Sequence, residues 1–284
     1  MSSPALNERI SSFYDESSPI WLDTWGEHMH HGYYGPDGKE RKSRQQAQRD
    51  LISETLRFAD LPSDPGRILD AGCGVGGSAR HLALRYGADV LGLTLSEVQV
   101  QRGREINRLT GLDDRVELRR ADLTQHIDPN GFDLVWSLES AEHVADKPAM
   151  LRSFYDLLRP GGTLALVTWC RRPTPPPLST REEHVLRRLR ALYHLPAWIA
   201  VQDYERHAKD LGFVDYASAD WSAAVSPFWT EVLKSALSLD SLRGLIKAGI
   251  PTLKGAYAMR YMLEGYRSGL VKFGVMRMRK PAVG

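Results

Sequence analysis

Cysteine is scarce in this chain: 284 residues include only Cys73 and Cys170, about a hundred positions apart. That excludes a disulfide scaffold and a four-thiolate zinc site, and it suits a reducing compartment. Long apolar runs are missing too. No stretch approaches the roughly 18 residues of a membrane span, and the opening MSSPALNERI lacks the basic-then-apolar pattern of a secretory signal, so a cytoplasmic location is expected. Charge of one sign is equally lacking. With 37 basic and 35 acidic residues, the formal net charge is +2, which offers no surface for nucleic acid or a bilayer. What remains is 42% hydrophobic and 25% charged, enough for one large core with insertions or for two small ones.

From residue 67 onward, short apolar runs alternate with helical patterns. RILDAG, ADVLGLT, RVELRRAD, FDLVWSL and TLALVTW read as strands separated by helices of crossover length, which predicts a parallel sheet. The connectors fit. SARHLALRY carries Ala79, Leu82, Ala83 and Tyr86 at helical spacing, and a second helix begins after Ser96 as N-cap and stops at Gly111. KPAMLRSFYDLLRPGG predicts a third, closed by Pro160, Gly161 and Gly162. Upstream, Ala47, Leu51, Thr55 and Ala59 form one stripe, so a helix there is expected to cover the edge or the open end of the sheet. Downstream of the stiff RRPTPPPL come two helices, a strand through DYASADW, a helical stretch from Ser226 to Ser268 and a last strand through VKFGVMRM.

ILDAGCGVGGSARHLA sits on strand, turn and helix, the context a glycine-rich nucleotide loop requires. A dinucleotide site would want an acidic residue about twenty positions on to hold a ribose, but the second strand ends GLTLS. Asp70, just before the glycines, suits the amino group of an amino-acid-bearing cofactor.

In order, DAGCGVGGSARHLA, GLTLSEVQVQRG, RADLTQ, FDLVWSLESAEHV and LLRPGGTLAL resemble the successive motifs of class I S-adenosylmethionine-dependent methyltransferases. The flanks FYDESSPIWLDTWGEHMHHGYYGPDG, TWCRRP, DWSAAVSPFW and YRSGLVKFGVMRMRKP are similar to the tocopherol methyltransferase-like group, whose members methylate tocopherols, terpenoids or alkaloids. The resemblance implies a Rossmann-like α/β fold with a mainly parallel seven-stranded sheet and helices on both faces. It also implies a division into an N-terminal lid segment (1–60), a cofactor-binding core (61–170), and remaining strands with a helical acceptor cap (171–284).

By matching position, the resemblance assigns Asp70, Gly72 and Gly74 to the methionine part of S-adenosylmethionine, and Gly76 to the cofactor loop. It assigns Thr94, Leu95 and Gln99 to the ribose, Ala121, Asp122 and Leu123 to the adenine, and Leu138 and His143 to the same cofactor. Asp122 could equally cap a helix. Many family members carry an acidic ribose ligand after the second strand; this chain has TLSEVQ instead.

Glu139, Glu142 and His143 follow the fourth strand at its carboxyl end, where ligands of such sheets meet, so each is a candidate base or cation-stabilising group. A turn salt bridge for Glu142 and a cofactor contact for His143 stand beside these readings. Tyr14 is a candidate at donor and acceptor alike. Trp21, Tyr193, Phe228 and Trp229 are candidate acceptor contacts, though packing alone would explain each. The expected partner is a lipophilic small molecule methylated on carbon, with N- or O-methylation the alternative; an NAD-dependent oxidoreductase and a catalytically silent scaffold are disfavoured. Neither nucleic acid nor a membrane span is expected, and a homo-oligomer is compatible with the sequence.

WGEHMHHGYYG raises the question of a metal. In extended chain His28 and His30 share a face while His31 points away, and no HxxxH or HExxH spacing is present. A lid of ring faces over the sulfonium is expected instead, with no metal.

Overall fold

The alternation of apolar runs becomes one sheet. The computed structural model describes residues 8, 10–12, 15, 26–236 and 259–282, and its strands are β1 (Arg67–Ala71), β2 (Asp89–Thr94), β3 (Val116–Arg120), β4 (Phe132–Leu138), β5 (Leu158–Arg171), β6 (Val214–Asp220) and β7 (Val271–Arg279). Their spatial order is β3-β2-β1-β4-β5-β7-β6. The first five run parallel, and β7 pairs antiparallel with both β5 and β6. This is the Rossmann-like methyltransferase sheet that the sequence led us to expect.

Alternation along a strand puts neighbouring residues on opposite faces, and helices cover both. Ile68 joins a cluster with Leu51 of α1 (Arg44–Ala59), Leu82 of α2 (Gly77–Tyr86) and Val100 of α3 (Glu97–Thr110). Leu69 joins another with Phe154 of α4 (Lys147–Leu157) and Ala208 of a later helix, Val201–Leu211. Ser96 caps α3 by accepting the Gln99 N–H, and Gly111 ends it in the left-handed region.

Two expectations need correcting. The stripe of α1 lies on the sheet face over the inner strands β5 and β7 and not along the sheet edge, because Leu51, Ile52, Leu56 and Ala59 find Val167, Phe273 and Val275 there. Helix α4 stops at Leu157, three residues before Pro160. The RPGG segment is already strand: Leu158 pairs with Phe132, and the register shifts between Phe132 and Leu134. Tyr14, Trp21 and the stretch 237–258, part of the expected helical cap, lie outside the described residues.

The topology prepares a cleft. β1 has β2 on one side and β4 on the other, so the segments leaving their carboxyl ends diverge and leave a crevice between them.

Candidate active site

Asp70 and Ala71 end β1, and the chain then turns through the glycines. The N–H groups of Gly72 and Cys73 both donate to the Leu93 carbonyl at 2.9 Å, which ties the turn to the end of β2. Gly72 has φ +94°, and a Cβ there would lie 2.2 Å from the Ser140 Cβ, so the loop after β4 packs directly on the glycine backbone. Gly74 differs: at φ +55° a Cβ would meet nothing within 4 Å. Its missing side chain faces a partly open cavity of about 1110 Å³ between atoms.

All but one of the expected cofactor residues line this cavity. Asp70, Gly72 and Gly74 come from the first turn, Thr94, Leu95 and Gln99 from the second, Ala121, Asp122 and Leu123 from the third, and Leu138 and His143 from the segment around the end of β4. Gly76 is the exception. Its Cβ position abuts Arg80 Nη1 at 3.0 Å and Leu118 at 3.1 Å, so it turns the chain into α2 against the core and does not face the cavity.

The cavity carries charge in wait of a partner. Asp70 is buried, and its Oδ2 has no hydrogen-bond partner. Burial pushes its pKa up to about 7 against the opposing pull of the Ala79 N–H and the Arg80 guanidinium. An orphaned carboxylate beside an open glycine cradle fits a ligand bearing an ammonium group and a main-chain-hugging body. In the second turn, Thr94 Oγ1 donates to Gln99 Oε1 at 2.6 Å, so these two side chains brace each other along the wall. Asp122 accepts from the N–H and hydroxyl of Thr124 in a turn, with no helix there for it to cap, and it faces the cavity.

A lid covers this cradle. Ile10, Glu27, His28, Met29 and His30 line the cavity, and Ser11 Oγ donates to the Leu95 carbonyl at 3.0 Å. His28 and His30 face the cavity while His31 does not; Met29 between them lines it as well, so the segment does not alternate strictly. Burial holds His28 neutral with a pKa near 3 and lowers that of His30. Buried Gln48 of α1 clamps the segment, its Nε2 donating to the carbonyls of His28 (2.7 Å) and His30 (2.9 Å). Among the described residues, no group of three His, Cys, Asp or Glu side chains could hold a metal ion.

The three candidates after β4 part company. Glu139, at φ +52°, is on the cavity wall. Its Oε1 accepts the His31 main-chain N–H at 2.7 Å, and its Oε2 accepts from His31 Nδ1 at 2.6 Å and Trp169 Nε1 at 3.0 Å. Burial alone would raise its pKa, but the adjacent His31 outweighs that and lowers it. His143 also lines the cavity, and burial with the nearby Lys147 ammonium brings its pKa down to about 4, so the ring is neutral at pH 7.

Glu142 is a correction. The short 3-10 turn Ala141–His143 sends it away from the cavity into the protein, where Oε2 accepts from Thr168 Oγ1 at 2.8 Å. Burial, reinforced by Glu139, pushes its pKa up to about 8. The folded state therefore holds a proton that the unfolded state gives up, and stability falls as pH rises from about 4.5 to about 8. Glu142→Gln removes that loss, so its melting temperature relative to wild type should climb between pH 5 and pH 9, by the equivalent of a few kcal/mol. Thermal melts across this range check it; a constant difference would refute it.

Phe228, Trp229 and Tyr193 do not line the cavity but gather on the far side of Glu139. Trp169 stands 5.9 Å from Tyr193 and 6.1 Å from Trp229, while His31 stands 4.5 Å from Phe228 and 5.1 Å from Trp229, ring centre to ring centre. Burial raises the Tyr193 phenol pKa, so it stays protonated. Sequence reasoning missed Trp169 and Gln48. The first lies near the carboxyl end of β5, a position that itself flags site residues; the second is a polar residue beside the buried stripe of α1.

Comparison with known proteins agrees with this geometry. Residues 43–218 match the family described as "Methyltransferase domain". The chain is 38% identical to the tocopherol O-methyltransferase of Arabidopsis thaliana chloroplasts over 99% of its own length and 84% of that protein. It is 31% identical to the norajmaline N-methyltransferase of Rauvolfia serpentina, over 96% of this chain and 98% of the relative. In fold it resembles the geranyl diphosphate C-methyltransferase of Streptomyces coelicolor A3(2), solved with Mg2+, geranyl diphosphate and S-adenosyl-L-homocysteine. The TM-score is 0.78 at 20% identity, covering 99% of this chain and 100% of that one.

Proposed function

The chain belongs to the S-adenosylmethionine-dependent methyltransferase family, and on that premise we propose that it methylates a carbon of a lipophilic small molecule bearing an isoprenoid unit. A prenylated phenol of the tocopherol type or a terpenoid would serve. The observation that carries this reading is the shared wall at Glu139. This residue lines the donor cavity, and its carboxylate bonds His31 and Trp169, which pack with Phe228 and Trp229. A cluster of aromatic rings beside the donor site suits an apolar acceptor.

S-adenosylmethionine supplies an electrophilic methyl group on a sulfonium. In this reading Asp70 takes the donor's ammonium, Gly74 leaves room for its backbone-hugging part, and Ala121, Asp122 and Leu123 flank the adenine. His28 and His30, neutral and clamped by Gln48, exclude water without adding charge. Residues 26–31 then cover the donor, the turns after β1 to β4 hold it, and the rings beyond residue 170 receive the acceptor.

The test is to incubate the protein with methyl-labelled donor and, separately, a prenylated phenol, a terpenoid alkene and an indole alkaloid amine, and then to identify the labelled atom. Label on carbon of either isoprenoid acceptor is expected. The Rauvolfia relative favours a second reading, N-methylation, and label on the amine nitrogen alone would replace the first with it.

A further inference from the structure

The two ring nitrogens of His31 stand in different surroundings. Its Nδ1 lies 2.6 Å from Glu139 Oε2. Glu139, with its pKa lowered, is a carboxylate that can only accept. The Nδ1 therefore carries the hydrogen toward the carboxylate, which in the neutral imidazole leaves Nε2 as the nitrogen with a bare lone pair. That Nε2 is buried and has no hydrogen-bond partner; the residue is 1% exposed. Five rings surround it: Phe228, Trp229, Phe273, Trp169 and Tyr266, at 4.5 to 6.3 Å between centres. A buried lone pair without a donor is a cost, and it stands on the acceptor side of the wall whose other side is the donor cavity.

We propose that His31 Nε2 is the general base that takes the hydroxyl proton of a phenolic acceptor, with Glu139 as the positioning residue that fixes its tautomer and offsets the imidazolium charge. This rests on the reading of the protein as a methyltransferase for lipophilic acceptors and narrows it to those with an acidic hydroxyl, in preference to an unactivated alkene. The acceptor O–H bond breaks and its proton passes to Nε2. The phenolate's electron pair, delocalised onto the ring carbon, forms the new bond to the methyl carbon. The S–CH3 bond breaks with its pair staying on sulfur, which becomes a neutral thioether. The ring C–H proton is then exchanged for one on oxygen, restoring the phenol, and the imidazolium returns its proton to solvent, so one proton is released per turnover.

The arrangement has the parts such a base needs. The carboxylate bonds both the ring and the main chain of the same residue, so the main-chain bond fixes the carboxylate and the carboxylate fixes the ring. Trp169 satisfies the carboxylate from the other side, and the surrounding rings stabilise a transient cation through their faces. Water is kept from the lone pair.

The experiment compares wild type, His31→Gln, Glu139→Gln and the double variant, with donor affinity of each measured by calorimetry. With a prenylated phenol, His31→Gln should keep donor affinity and lose about 100-fold or more in turnover. Its remaining rate should rise with pH as solvent ionises the acceptor, and an electron-poor prenylated nitrophenol, already ionised, should recover most of the loss. Glu139→Gln lets an amide N–H donate to Nδ1 and puts the hydrogen on Nε2, so its turnover should fall as well. The double variant should be little worse than either single one.

A second readout needs no turnover: with S-adenosylhomocysteine present, the bound nitrophenol should be more ionised in wild type than in His31→Gln, by absorbance. Wild-type turnover in His31→Gln overturns the proposal, and so does a loss that the ionised acceptor fails to relieve. If wild type binds the donor and methylates no phenol at all, the functional reading is what fails.

Discussion

Gly74→Val should abolish useful binding of S-adenosylmethionine, lowering affinity by at least about 100-fold, or roughly 2.7 kcal/mol. Two effects add. Gly74 sits at φ +55°, where a β-branched residue is a steric outlier. A side chain there would also project into the cavity, since its Cβ position has nothing within 4 Å. Calorimetry with the donor measures the loss, and a melt without donor separates it from unfolding. Gly74→Ala, with a smaller group on the same backbone, should lose an intermediate amount. Donor affinity within about threefold of wild type in a folded valine variant, under 1 kcal/mol, would mean the loop is merely a turn.

Asp70→Asn should cost about 2–4 kcal/mol of donor affinity, roughly 30- to 1000-fold, because a buried ammonium would lose its countercharge. The same carboxylate makes donor binding pH-dependent in wild type. Its pKa in the empty protein is raised to about 7, so below that pH it holds a proton that the incoming ammonium must expel. Affinity should therefore rise with pH, by up to about tenfold per unit, and level off above about 7. Calorimetry at pH 6 in two buffers of different ionisation heat should register proton release in wild type and less in the variant. Equal pH dependence in both would remove Asp70 from the donor site.

What the sequence made legible follows the range of the forces involved. Strands and helices from 67 to 170 are written in local periodicity, and the glycine turn is written in adjacent residues, so Asp70, Gly72 and Gly74 can be read without coordinates. Glu139 and Glu142 are three apart in one motif and look interchangeable on paper. A single 3-10 turn puts one on the cavity wall and the other against Thr168, and nothing local announces that direction. The bond from His31 to Glu139 joins residues 108 apart, so the histidine-rich stretch reads as a lid of rings, while the role open to its third ring emerges only in three dimensions. Gly76 shows the reverse error. A glycine inside a nucleotide-loop pattern invites a ligand reading, yet its neighbours are Arg80 and Leu118.

Strand β7 follows every other strand in the chain, yet in space it separates β5 from β6. During synthesis, β1 through β5 can pair with one another as they emerge, and the turns that follow β1, β2 and β4 come with them. β6 has no neighbour except β7, and Phe273, which closes one side of the His31 cage, is on that last strand. The wall that carries Glu139 can thus form with β1 to β5, whereas the ring cage around His31 is closed only by the last strand. Glu139 is in this way on its wall before the residue that completes the surroundings of its partner His31 has been made.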